Sequence, residues 1–408
     1  MFRLPRRSVL VASAVMAALG CWSANAQSDN QAVKHVFVIA LENHNWTQPT
    51  TVSGGIQAIY QNANAPFLNS LVHGNAMAYI NGQLVNISSQ VSYATEYHNV
   101  LATESGSNPH IHPSEPNYIW AEAGTNFGIA NDADPYPSNT QTAEHLSGLL
   151  QTHGKTWMSY QEDTDLATVN GQLVNLPLPQ NLWTVPLKSL SGNFPSTSDL
   201  NEYNSTFQYN YAAKHNPMVF FTDTNGGNDL TPANPLASSY APLQQLQFDL
   251  VNNTVANYNW ITPNQYNDMH SKLTSGFAGV TGDASMLRAG DNFVSRVVPE
   301  IMASKAYKEG GAIIIWMDES EPDGETGDNA DDFNHAINEI VISPLAHENV
   351  NGVPYASSIP YSHSSDLRTM QEIFHVRATQ GSSPYLGDAA NATDLSDLFQ
   401  PGVIPSRP

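Results

Sequence analysis

The chain is poor in cations, cysteine and long apolar runs, and each shortage removes a class of protein. Only 15 of its 408 residues are Lys or Arg, against 37 Asp and Glu, a formal charge of −22. Arg3, Arg6 and Arg7 lie in the first 26 residues. If that segment is removed, 12 cations face the same 37 acids, a balance near −25. So few cations cannot neutralise a run of phosphates, which excludes nucleic-acid or anionic-membrane binding by counterion release. The single cysteine, Cys21, falls within the same segment, leaving neither a disulfide framework nor a Cys-based metal site. Beyond it no apolar run approaches the ~20 residues needed to cross a bilayer. No nucleic-acid partner and no stable membrane insertion are therefore expected.

The first 26 residues read as an export signal. Basic residues precede an apolar stretch from Val9 to Gly20, and Ala24-Asn25-Ala26 supplies a small-x-small cleavage site. Arg6-Arg7 ahead of Ser8-Val9-Leu10 resembles a twin-arginine signal, an ordinary Sec signal being the other reading. Ala18-Leu19-Gly20-Cys21 makes a poor lipoprotein box. The expectation is a periplasmic or secreted protein, with residues 27–408 forming a single domain.

Within that body, short apolar runs alternate with helical spacing. The runs are Val36–Leu41, Thr156–Tyr160, Met218–Thr222, Tyr258–Thr262, Ala312–Met317 and Ile337–Ile342, each apolar enough for a strand covered on both faces. Between them, Thr142–Gln151, Pro242–Asn253 and Ala289–Ser304 carry helical periodicity. The pattern predicts a doubly wound α/β fold, a mostly parallel sheet sandwiched by helices, with loop and hairpin excursions. Asn81-Gly82-Gln83-Leu84-Val85-Asn86 recurs at Asn170 to Asn175, and Asn-Gly predicts two similar hairpins. Most of the strands end in polar residues: Glu42-Asn43, Gln161-Glu162-Asp163, Asp223, Asn264 and Asp318-Glu319. Ligands of open α/β sheets bind beyond such carboxyl ends.

Four clusters could carry chemistry. Glu42-Asn43-His44 ends a strand with oxygen donors suited to a hard cation, or with a capped loop and a solvated carboxylate. In His112-Pro113-Ser114-Glu115-Pro116-Asn117-Tyr118, a serine opens a helix, where it serves as nucleophile, phosphate cradle or plain N-cap. Asp268-Met269-His270 offers a carboxylate and an imidazole two residues apart. Asp318-Glu319 places adjacent acids at a buried strand end, where they repel unless a cation or proton intervenes. The acids that follow, from Glu321 to Asp332, favour a solvated acidic loop, and they do not fit a calcium loop, because its twelfth position is Ala330.

Together with Ile261-Thr262-Pro263-Asn264, Ile342-Ser343-Pro344 and His363-Ser364-Ser365-Asp366, these motifs resemble the bacterial phosphoesterase family of secreted acid phosphatases and phospholipases C, in the alkaline phosphatase superfamily. The resemblance spans Lys34 to Phe374. It implies an alkaline-phosphatase-like fold and a phosphoseryl mechanism on Ser114, with Asn117 holding a phosphate oxygen. It also implies a first metal held by Glu42, Asn43, Ser114, Asp318 and Glu319. Asp268, His270 and His363 follow the chain order of second-metal ligands, so one ion or two is left open, as is its identity among zinc, manganese, calcium, magnesium and iron. His112 is a catalytic candidate for binding phosphate or protonating the leaving group, and His110 and His335 are further ones. Family phospholipases C often carry additional domains, so a chain of this length favours a phosphomonoesterase. A phospholipid substrate, as in a phospholipase C or a phosphoinositide phosphatase, stays open beside a small phosphate ester. So does a non-catalytic secreted metal- or carbohydrate-binding protein using Trp46, Trp120 and Trp183. Natural substrate and oligomeric state are not legible.

Overall fold

The computed structural model describes residues 32–101, 112–196, 199–329, 334–349 and 351–408. The expected export signal and His110 lie outside them. Eight strands form the main sheet: β1 (His35–Leu41), β2 (Val91–Ala94), β3 (Trp157–Gln161), β4 (Tyr240–Pro242), β5 (Tyr258–Thr262), β6 (Gly311–Met317), β7 (Glu339–Ile342) and β8 (Tyr355–Ser357). Their order is β4-β3-β5-β1-β6-β7-β2-β8, with β7 alone running against its neighbours β6 and β2. The central strands β1 and β6 bury every residue but the first of β1, as their unbroken apolar runs require of strands covered on both faces.

The helices flanking the sheet include α1 (Pro66–Val72), α2 (Ser114–Ala123), α3 (Leu146–Thr152), α4 (Gln244–Asn252), α5 (Asp283–Ala303) and α6 (His363–Phe374). The expected mostly parallel α/β architecture is therefore present. Two hairpins turn at Asn81-Gly82 and Asn170-Gly171, all four residues with positive φ, the backbone a type I′ turn demands.

One expected strand is absent. Met218–Thr222 falls instead in a 3₁₀ turn (Pro217–Phe220) leading into a four-residue helix (Thr222–Asn225). Pro217 lacks an amide hydrogen for a sheet ladder, and Asn225 Nδ2 and the Thr224 hydroxyl bond back to the Val219 and Met218 carbonyls, closing a compact turn. Strands β2, β4 and β8, three or four residues each, went unanticipated because so short a run carries no periodicity.

Candidate active site

Parallel register builds the acidic centre. Leu41 of β1 pairs with Met317 of β6, so the next residues, Glu42 and Asp318, emerge side by side. Asn43 turns the chain at φ +53, in the left-handed region that asparagine tolerates better than most residues. Its amide donates to Asp318 Oδ1 at 3.0 Å, and its Nδ2 donates to Glu319 Oε1 at 3.0 Å and Glu321 Oε1 at 2.6 Å. From the neighbouring strand end, the Asp268 carbonyl accepts the Glu42 amide at 2.8 Å.

Helix α2 brings the hydroxyl. Ser114 is its first residue, one past Pro113 at the N-cap, so its hydroxyl is not in the capping position. Instead Ser114 Oγ lies 3.1 Å from Glu42 Oε2 and 3.1 Å from Glu319 Oε1, fully buried. One turn on, Asn117 Nδ2 donates to Glu319 Oε2 at 3.1 Å, and the Tyr118 hydroxyl donates to Glu42 Oε1. His112 Nδ1 stands 3.0 Å from Glu319 Oε2 with its ring part-exposed. All ten α2 residues are buried, so the hydroxyl is carried on a rigid support.

Four acids meet here with little to neutralise them. Burial first, then repulsion from Asp318 and Asp268, pushes Glu42 well above the usual carboxylate range. Burial raises Asp268 too, with Asp318 adding to it, and burial and Glu319 do the same to Asp318. Lys214 lowers Glu42 and Asp268 only in part, and it is itself paired with Asp132 at 2.7 Å.

These residues fit a divalent ion. Asn43 Oδ1, Asp268 Oδ2 and Asp318 Oδ2 are buried without a hydrogen-bond donor, a cost that direct ligation would remove. Glu319 also groups with His112 and Glu321, near enough to share an ion.

Sequence reasoning missed His215. Its Nε2 lies 3.2 Å from Glu42 Oε1 and its Nδ1 3.4 Å from Asp268 Oδ2, neither with hydrogen-bond geometry. The ring stacks on Tyr118 at 5.0 Å and neighbours His270 at 5.8 Å. Burial, then Lys214 and His270, holds His215 well below the usual imidazole range, so it is a neutral lone-pair donor. The signal available was Lys214-His215, a basic pair in a chain almost without cations.

Other expected residues sit differently. His270 stands beside His215, and burial lowers it to about 4. His363, grouped with the ligands by resemblance, has both nitrogens engaged by protein. Nε2 donates to the Asp318 carbonyl at 2.6 Å, and Nδ1 meets Tyr97 Oη at 2.9 Å and Trp316 Nε1 at 3.0 Å. It props the Asp318 strand end and presents no lone pair to the centre. His335 is drawn to Asp323 and Asp328 rather than to Ser114. Glu162 and Asp163 are enclosed by Asn201, Asn264, Asn267 and the Asn210 amide, anchoring a loop.

A hydroxyl at the start of a helix, buried against carboxylates on adjoining strand ends of an α/β sheet, is an arrangement suited to nucleophilic catalysis. The model of the Phosphoesterase family matches residues 20–377, and the chain belongs to that family. Among curated relatives, a probable acid phosphatase of Kluyveromyces lactis is 24% identical over 70% of this chain and 55% of its own length. A phosphate-repressible acid phosphatase of Penicillium chrysogenum is 25% identical over 52% and 39%. An acid phosphatase of Aspergillus fumigatus is 29% identical over 39% and 28%. The chain thus spans about half, or less, of the curated relatives it matches. Similar solved structures include a Vibrio parahaemolyticus protein of the alkaline phosphatase superfamily, with TM-score 0.42 and 12% identity over 90% of this chain and 72% of that one. Another is the lipoteichoic acid synthase LtaP of Listeria monocytogenes, with TM-score 0.43 and 8% identity over 89% and 77%.

Proposed function

We propose that the protein is an exported, metal-dependent phosphomonoesterase that works through a phosphoseryl intermediate on Ser114. The observation that carries this reading is the Ser114 hydroxyl, buried at the first position of its helix and 3.1 Å from both Glu42 and Glu319. The acid phosphatase names of the relatives support the monoester substrate class.

The chain's own groups set out the reaction. Ser114 Oγ gives its proton to the Glu42 or Glu319 carboxylate and attacks phosphorus. The bond from phosphorus to the leaving oxygen breaks, and that oxygen takes up a proton, for which His112 at the exposed side is the positioned donor. Asn117 holds a non-bridging phosphate oxygen. Water then attacks phosphorus, giving a proton to the deprotonated His112, the P–Oγ bond breaks and Ser114 regains its proton from the carboxylate. A divalent ion bound by Glu42, Asn43, Asp318 and Glu319 would lower the hydroxyl's pKa and offset the negative charge that otherwise repels a phosphate dianion. That repulsion is about 4 kcal/mol per pair of charges 4 Å apart in an intermediate dielectric.

Hydrolysis of an aryl phosphate tests the reading directly. Turnover should vanish on chelation and return with a divalent ion, and acid quenching should trap phosphate on Ser114. Undiminished turnover by Ser114→Ala would falsify it. Release of diacylglycerol from phosphatidylcholine, with no attack on monoesters, would move the substrate to phospholipids. Mature protein beginning at Gln27 in the periplasm or medium would establish export.

A further inference from the structure

The loop that leaves β6 holds a second cluster of donors. Asp323, Asp328 and His335 each offer one ligand atom, all within 4.8 Å of one another. The sequence suggested a solvated acidic stretch here, yet Asp323 is 1% and His335 2% exposed.

His335 points to a ligand. Its Nδ1 is buried with no hydrogen-bond partner, and its Nε2 stands 3.6 Å from Asp328 Oδ1, too far for a hydrogen bond. Two donors each about 2.1 Å from one ion at the tetrahedral angle stand about 3.4 Å apart, close to that spacing. The remaining oxygens are committed elsewhere. Asp328 Oδ2 accepts the Asp323 amide, and Asp323 Oδ1 accepts the Glu325 amide at 2.9 Å. Each acid therefore keeps one oxygen for the third partner.

Neighbouring contacts brace the cluster. The Ala336 carbonyl, next to His335, accepts the Trp46 amide at 2.6 Å, and Asn45 exchanges hydrogen bonds of 2.8 and 2.6 Å with the Glu321 backbone. Gly55 lies so close that a Cβ there would stand 1.7 Å from the Asp323 carbonyl oxygen. The loop is pressed onto the segment that follows Glu42-Asn43, with the cluster at its base.

We propose that Asp323, Asp328 and His335 bind a second divalent ion, separate from the Ser114 centre, which clasps the loop carrying Glu319 and Glu321. An imidazole with two carboxylates favours Zn²⁺ or Mn²⁺ over Ca²⁺ or Mg²⁺, which prefer all-oxygen shells. This goes beyond the phosphatase reading and does not depend on it.

The test is a count of ions by elemental mass spectrometry on the full chain, stripped with chelator and reloaded with Zn²⁺ or Mn²⁺. In the Glu42→Gln/Asp318→Asn/Glu319→Gln background, which removes carboxylates of the Ser114 centre and of the His112–Glu319–Glu321 group, at least one ion per chain should remain. Adding His335→Gln, or separately Asp328→Asn, should lower that count by one. Circular dichroism of each metal-free variant checks that the fold is kept. Should His335→Gln unfold the chain, Co²⁺ loaded into the Glu42→Gln/Asp318→Asn/Glu319→Gln protein should still show a coordinated imidazole in its paramagnetic NMR spectrum. No ion in that background, a count unchanged by both added substitutions, or Co²⁺ without an imidazole ligand overturns the proposal. Failure of the phosphatase reading would appear separately, as wild-type protein without turnover.

Discussion

At the level of single residues, the decisive feature is what Ser114 touches. Pro113 holds the N-cap position of α2, and the Ser114 hydroxyl one residue on faces Glu42 and Glu319. Ser114→Ala should therefore lower aryl phosphate turnover by about 10³-fold or more, with thermal stability little changed. Asn117→Ala removes one preorganised donor and should cost about 10²- to 10³-fold in kcat, read from steady-state kinetics. Acids and the hydroxyl were legible in the sequence because strand ends and helix starts are marked locally by apolar runs and prolines. His215 was not, since its value lies in meeting Glu42 and Asp268 across 173 and 53 positions of chain, a proximity no window reveals. His363 misled for the opposite reason. Its place in the chain order matches a ligand, yet its hydrogen bonds to Tyr97, Trp316 and the Asp318 carbonyl consume both nitrogens.

Among the elements, α2 matters most because its position fixes that of the Ser114 hydroxyl. It ends at Gly124, which holds φ +66 where an added Cβ would lie 2.7 Å from the Leu386 carbonyl oxygen. Gly124→Ala should destabilise the protein by about 1–3 kcal/mol, measured as a lower denaturant midpoint at unchanged slope. The same helix is tied to α3 by His145, whose Nδ1 lies 2.8 Å from Glu122 Oε2 and Nε2 2.9 Å from Asp223 Oδ1. Burial alone would lower this imidazole's pKa, but the bonds to Asp223 and Glu122 outweigh it and the net shift is upward. A raised folded value means the protonated ring stabilises the fold. That contribution is fully present below the unfolded value of about 6.5 and is lost as pH rises through the higher folded one. Denaturant midpoints from pH 5 to 9 should show this loss in the wild type, and the loss should be smaller in His145→Gln.

Over the whole molecule, buried acids outnumber the cations that could serve them. Burial raises Asp165 and Asp291 each to about 6 and Glu115 to about 8. Burial likewise raises Glu162 and Asp163, which also repel each other. All are shifted upward, so the folded state holds protons that the unfolded chain would release. Their combined contribution is complete below the unfolded carboxyl range near 4 and falls away as pH climbs through 6 to 8. Metal-free protein should accordingly melt at a higher temperature at pH 5 than at pH 7.5, the reverse of ordinary acid denaturation. Architecture at this scale was largely readable, because parallel strands buried on both faces announce themselves as unbroken apolar runs. Reversal of β7 and the short outer strands were not, since direction and edge pairing depend on tertiary partners rather than on hydrophobic pattern.

The register that sets Leu41 beside Met317 has a consequence for synthesis. Glu42 is made early, Ser114 next and Asp318 some two hundred residues later, so a nascent chain emerging in order cannot assemble the cradle piecemeal. Until the sixth strand slots in beside the first, Glu42 and Asp318 do not meet and the Ser114 hydroxyl lacks one of the acids it faces. An inhibitor caught by this centre would thus count finished molecules and ignore fragments.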